Sequence, residues 1–241
     1  MKIAFALCLT LASVAACSTA PDGATVHDPY ETRNRSVHEF NKRLTGGLGS
    51  DEDRSGPRIP QDISARLIDF ADNVAMPGVI LNNTLQGDFV GATSNTMRFL
   101  INTVFGAFGV FDPADIMGLE EIDADFGQTL SVWGAPEGAY LELPLLGPST
   151  ERDFAGDIVD VLIDPLGLFV TDDQLVVASV GSIAGRIAKI DQVGDTIGDV
   201  LNESADSYAQ ARLIYLQNRR YELGIEAAEV ADPYADLYGD Q

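Results

Sequence analysis

Apolar residues in this chain come in pieces that fall short of a bilayer. Between Arg98 and Asp112 lie 13 uncharged residues, Phe99 to Phe111, where a transmembrane helix needs about 20. Two further apolar segments, 158–170 (IVDVLIDPLGLFV) and 174–187 (QLVVASVGSIAGRI), are split by Pro165 and by Asp172 and Asp173. Nothing spans, yet hydrophobic residues make up 46% of the chain, enough for a sizeable core or a membrane-facing surface. Two arrangements remain: a soluble domain that buries these helices, or helices that lie in one leaflet. Along 98–111, Arg98, Asn102, Thr103, Gly106 and Gly109 fall near one side at spacings of three and four, and aromatic and aliphatic residues take the rest.

The start of the chain reads as an address. Lys2 precedes an apolar stretch, Ile3 to Leu11, broken only by Thr10, with the dimensions of a signal-peptide core. Val14-Ala15-Ala16-Cys17 resembles the lipobox of bacterial lipoproteins, in which the cysteine is lipidated and becomes the new N-terminus. The other reading is a generic secretory signal with an incidental cysteine. In the lipoprotein reading residues 1–16 are removed and Cys17 is the anchor. Ser18 follows it where an Asp would favour inner-membrane retention, so the resemblance implies the outer membrane. Cys8 and Cys17 are the only cysteines, so disulfides, cysteine zinc sites and thiol catalysis drop out. Residues 17–27 then form a small-residue tether.

A formal net charge of −22 speaks against nucleic acid or an anionic lipid surface bound by charge. Catalytic constellations are thin. Histidine occurs only at 27 and 38, and no G-x-S-x-G elbow is present; His38 reads as a surface or helix-packing residue. The acids of 118–127 (GLEEIDADFG) lack the spacing of a calcium loop and read as a solvated turn. Thr150-x-x-Asp153 resembles a capping box, so a helix start explains it better than an active site. The chain reads as no enzyme, with no cofactor and no metal.

Helices are expected at about 29–44, at 63–74 with Ile63, Leu67, Phe70, Ala71 and Val74 on one face, in three patches across 79–119, and from about 202 to 223. An exposed loop is expected at 45–60 and an acidic tail at 224–241. Strand is expected to be scarce, with 139–146 (AYLELPLL) a brief strand or extended segment. Trp133 and Tyr140 suit either core packing or a lipid–water boundary.

Taken together, DPYETRNRSVHEFN (28–41), NNTLQGD (82–88), RFLINTVFGAFGVFDPAD (98–115), FGQTLSVWGAPEGAYLELPLLGPSTERD (126–153) and SYAQARLIYLQNRRY (207–221) resemble the MlaA (VacJ) lipoproteins in motif and order, from Asp28 to Tyr221. The chain departs from many members in its Gly-rich, charged 45–60 segment and its short acidic tail.

The resemblance implies a mainly α, single ring-shaped domain (28–223) of amphipathic and apolar helices in one leaflet, with little or no strand. It implies a lipoprotein anchored on the periplasmic side of the outer membrane. There, phospholipids misplaced in the outer leaflet leave through an amphipathic channel for a periplasmic carrier of the MlaC type, and trimeric porins are frequent partners. A headgroup crossing hydrocarbon needs a polar path. Arg98, Asn102 and Thr103 are candidates to line or support it, with Arg98 attracting phosphate; the alternative pairs Arg98 with an acidic neighbour. The competing functions are a structural envelope lipoprotein without transport and, lacking a nucleophile and base, a lipid hydrolase.

Overall fold

The computed structural model describes residues 18, 26–48, 60–168, 170–202 and 204–225, without the side chains of 44–48, 168 and 190–202. The signal segment, Cys17, most of the tether, the centre of the 45–60 loop and residues 226–241 lie outside the described residues.

Helices dominate: α1 (Glu31–Leu48), α2 (Gln61–Gln86), α3 (Phe89–Val104), α4 (Pro113–Ile116), α5 (Phe126–Val132), α6 (Glu151–Ile163), α7 (Asp172–Asn202) and α8 (Ser207–Glu222), with a 3-10 turn at Pro165–Leu168. The described strands are β1 (Tyr140–Leu143) and β2 (Gly147–Thr150), an antiparallel pair in which Tyr140 faces Thr150 and Leu143 faces Gly147. Strand is scarce, as expected, and 139–146 supplies half of it.

The quoted motifs are largely helix punctuation. In LQGD, Gly87 takes φ +78° and ends α2, a conformation open to glycine at little cost. Asp88 then accepts from the Gly91 N–H at 2.9 Å and starts α3. Asp112, Asp125, Thr150 and Asp206 cap α4, α5, α6 and α8 in the same way. At α6 the box is not reciprocal in the usual sense: the Asp153 carboxylate accepts from the Thr150 hydroxyl at 2.9 Å, while the Asp153 N–H donates to that hydroxyl oxygen.

Three expected boundaries move, one of them the start of α8, which lies at Ser207 and not near 202. α1 runs four residues into the expected loop. The 63–74 helix extends to Gln86 straight through Pro77, whose missing N–H leaves the Asn73 carbonyl without its helical donor. Packing overrides the local penalty, because α2 lies along α7. Gly185 lets α7 sit against Ala71 and the Leu67 carbonyl of α2, and Gly181 admits the Phe70 ring; a Cβ at either glycine would collide. The helix of 174–187 is part of a 31-residue helix, yet no described helix is both long and apolar enough to cross a membrane.

The core is small and split. Phe126, Leu130, Ala135 and Val159 form one cluster, and Tyr140, Tyr208 and Leu216 the other. Tyr140 is therefore core. Trp133 is 56% exposed, packs edge-on against Phe126 and donates its indole N–H to the Leu85 carbonyl.

Candidate functional site: a polar interior under an apolar exterior

Burial in this fold runs opposite to that of a soluble domain. The interior of the helical layer holds Asn73, Asn82, Asn83, Asn95, Arg98 and Asn102, each at most 5% exposed. The exterior holds Phe89, Val104, Phe105, Phe108, Ile116 and Val161, each at least two-thirds exposed. Large apolar side chains exposed in this number mark an interaction with lipid or protein.

α3 carries the division. Its outer face presents Phe89, Met97, Leu100 and Val104, all exposed. Its inner face presents Asn95, Arg98 and Asn102 at the i, i+3, i+7 positions of one helix side. Asn95 donates to the Asn83 side chain and to the Ile122 carbonyl, both at 2.8 Å. Arg98 donates to Asp112 at 2.6 Å and to the Leu119 carbonyl, and Glu121 lies 3.6 Å away. Asn102 donates to Asp112 at 2.9 Å and accepts from the Ala114 N–H at 3.0 Å. Thr103 accepts from Asn73 at 3.3 Å.

The structure thus brings all three sequence-nominated residues into one neighbourhood. Arg98 and Asn102 converge on Asp112, and Thr103 reaches α2 through Asn73. Asn73 also donates to the Phe108 carbonyl, holding a turn in which Ala107, Phe108 and Gly109 all take positive φ. Asn73 contacts Gly109 so closely that a Cβ there would overlap its side chain. This turn leaves the Phe105 and Phe108 rings outward while its backbone is tied to the polar interior.

Sequence reasoning missed Asn73, Asn83, Asn95 and Asp112. The signal was present: asparagines recur inside apolar helices, where an unpaired amide is costly. Around Arg98, burial pushes the Asp72 and Glu121 carboxyls above the ordinary carboxylate range, and Asp123 pushes both further. Lys189, 4.0 Å from Asp72, opposes this. Of the acids of 118–127, Glu121 reaches the Arg98 neighbourhood and Asp125 pairs with Arg219, while Glu120, Glu121 and Asp123 stay exposed, as expected of a solvated turn; no described group of three or more ligating side chains could hold a metal.

A second polar network joins α1, β1 and α8. His38 sits 3.3 Å from Glu142 through Nδ1 and 3.2 Å from the Ser207 hydroxyl through Nε2. This order, Ser–His–carboxylate, is that of a hydrolase triad. Its accessibility is not: Ser207 is 8%, His38 6% and Glu142 5% exposed. Glu142 also accepts from the Tyr140 hydroxyl and, through its backbone N–H, donates to Asn34. With every member buried and bonded, the network fastens the hairpin to two helices; His38 is a helix-packing residue.

Cys17 lies outside the described residues, but its neighbour Ser18 is fixed. The Ser18 N–H and hydroxyl both donate to Glu151, at 2.7 and 2.9 Å, and the hydroxyl lies 3.0 Å from His27. At its first described residue the tether is fastened to the start of α6.

The α6 surface also carries an unneutralised acid. Burial, then Asp125, Asp160 and Asp153, push the Asp157 carboxyl up to about 6. A carboxyl that holds its proton more tightly folded than unfolded loses stability as pH rises from about 4 to 6. Asp157→Asn is expected to stabilise the protein above pH 6 by about 1 kcal/mol, after allowance for solvent screening of an exposed group, and to flatten the pH dependence of thermal unfolding below 6. Equal melting curves for the two proteins from pH 4 to 7 would refute it.

Comparison with known proteins fits this geometry. A family profile described as MlaA lipoprotein matches residues 26–222. An uncharacterized protein of Rickettsia prowazekii (strain Madrid E) is 35% identical over 164 residues, covering 67% of this chain and 65% of that protein, just under two thirds of its length. The Shigella flexneri protein named intermembrane phospholipid transport system lipoprotein MlaA is 30% identical over 213 residues, 86% of this chain and 83% of that one. A solved structure described as the structural basis for maintenance of bacterial outer membrane lipid asymmetry superposes with a TM-score of 0.65 at 27% identity, over 81% of this chain and 98% of that one. With the profile spanning most of its length, the chain belongs to the MlaA family of lipoproteins.

Proposed function

We propose that this protein removes mislocalised phospholipids from the outer leaflet of the outer membrane, passes them to a soluble periplasmic carrier of the MlaC type, and so maintains lipid asymmetry. It is an outer-membrane lipoprotein of a phospholipid-transport system, not an enzyme, with a mainly helical, ring-like fold set in one leaflet. The observation that carries the reading is the inverted burial: large apolar side chains outside, buried polar side chains inside, and no described helix that spans. Lipid tails suit the first and a headgroup in transit needs the second. Cys17 is the lipidated anchor, and its neighbour Ser18 bonds to Glu151 at the start of α6.

Arg98, Asn102 and Thr103 support the polar side of the path. Arg98 does so through Asp112 and Glu121, ordering the charged wall that also includes Asp72 and Lys189. Trimeric porins are proposed as partners on the outer apolar face.

The test is surface exposure of phospholipid, read by added phospholipase or a membrane-impermeant amine label. A strain lacking the gene is expected to expose more phospholipid than the wild type, and complementation to reverse this. An unchanged surface in the deletion would favour a structural envelope lipoprotein whose polar interior only fastens its helices.

A further inference from the structure

The β1–β2 turn and the C-terminal half of α8 border an open cavity of about 240 Å³ that lipid passage leaves without a role. Leu143, Leu146 and Pro148 form its apolar wall. Its polar wall sets four carboxylates, Asp125, Asp153, Asp157 and Glu222, against a single guanidinium, Arg219. Arg219 is already shared among Asp125 at 2.7 Å, Asp153 at 3.1 Å and Glu222 at 3.1 Å. Asp157 takes no hydrogen bond or ion pair from the described residues and is exposed. The cavity is therefore acidic on one side and greasy on the other.

Its rim is built to present apolar surface. Leu145 and Leu146 are 68% and 62% exposed, and Leu145 takes φ +69°, a region that costs a non-glycine residue about 1 kcal/mol. Asn41 holds the turn in place, accepting from the Leu145 N–H at 2.8 Å and donating to the Leu143 carbonyl at 2.9 Å. Glycine or asparagine would make this turn with less strain, so leucine stands there against the backbone's preference.

An occupant has to suit both walls. The tail that follows α8, residues 226–241, carries five carboxylates and no Lys or Arg, so the acidic wall repels it. A phospholipid phosphate meets the same repulsion, and a second copy of this chain brings another net charge of −22. A protein segment with a basic side chain between apolar ones satisfies everything: the cation lies against Asp157 and Glu222, and its neighbours lie on Leu145 and Leu146. We propose that this cavity is the docking site of a soluble protein partner, which inserts a Lys or Arg flanked by apolar residues. The carboxyl of Asp157 is pushed up to about 6 by burial and then by Asp125, Asp160 and Asp153, in a cluster whose carboxylates outnumber its cations. The acidity of the whole chain steers the same basic partner toward it.

The experiment places a photo-crosslinking benzoylphenylalanine at Leu146 of the full-length lipoprotein in cells, and sequences the attached peptide. The expected product is a protein adduct whose attached segment contains Lys or Arg beside apolar residues. Asp157→Lys with Glu222→Lys is expected to lower its yield about tenfold, with the detergent-solubilised variant melting as a folded protein. If the double variant does not fold, Asp157→Lys alone, at an exposed position, is expected to cause the same direction of loss. A protein adduct that survives charge reversal, an adduct to lipid or to a second copy, or no adduct at all would overturn the proposal. None of these outcomes depends on phospholipid exposure, so the transport reading stands or falls separately.

Discussion

Arg219→Ala is expected to destabilise the folded domain by about 3–5 kcal/mol, the cost of stripping one partner from a buried ionic network. Arg219 is 8% exposed and joins α8 to the caps of two other helices, donating to Asp125 with both terminal nitrogens at 2.7 Å and to Asp153 at 3.1 Å. Burial by itself would raise the Asp153 carboxyl, but Arg219, then Arg152, outweigh it and hold the group below the ordinary carboxylate range. Without Arg219, Asp153 keeps the buried Arg152 but loses its larger partner, and the N-terminus of α5 loses the guanidinium that braces Asp125. Arg219→Lys is expected to recover only part of the loss, because an ammonium cannot fork between two carboxylates. Thermal and denaturant unfolding in detergent read both changes; a loss below about 1 kcal/mol for the alanine variant would show the network to be a surface-like pair.

Arg98→Ala is the second large effect, at about 3 kcal/mol, from loss of a buried guanidinium that bonds a half-buried carboxylate and the Leu119 carbonyl. Arg98 is 4% exposed and its loss leaves Asp112 with Asn102 and the α4 cap but no cation. Since Asp112 starts α4, the 105–118 segment is expected to become the first site of limited proteolysis. Asp112→Asn in the Arg98→Ala background should return part of the stability, because it removes the unpaired charge. The two roles considered for Arg98 separate here. If Arg98 served lipid phosphate alone, Arg98→Ala would lower export with stability intact; a supporting role moves both together.

The family motifs were legible because they are local. A helix stop needs a residue at ease with positive φ, and a helix start needs a short side-chain acceptor; Gly87 with Asp88 and Asp112 before Pro113 state this within four residues each. The end of α8 likewise follows from Arg219 and Arg220 in its last turn, whereas the residues near 202 end α7 and α8 begins only at Ser207, behind the Asp206 cap. The stripe of Arg98, Asn102 and Thr103 was visible because helical spacing places such residues together before any fold is known.

Other features were not legible, for a physical reason in each case. Pro77 marks a break by its own chemistry, yet α2 continues through it because α7 packs along its length, with glycines at the contact. Trp133 carries a large apolar body that suits either a core or a boundary; only the position of α5 leaves it more than half exposed. Leu145 gives no local hint of a left-handed turn. Asn41, more than a hundred positions away, supplies the bonds that hold it there.

By itself the sequence determined the class of chain: its apolar segments among the described residues are too short for a spanning helix, and Val14-Ala15-Ala16-Cys17 resembles the lipobox of an anchored envelope protein. These are properties of composition and spacing along one segment at a time, which the chain carries whether folded or not. Tertiary structure decided the direction in which the asparagines and Arg98 face, the pairing of Arg98 with Asp112 across 14 positions, and the meeting of β1, α6 and α8 around an acidic cavity. Each of those depends on which distant segments share a volume, and desolvation and Coulomb energy are set by that shared volume rather than by neighbours in the chain.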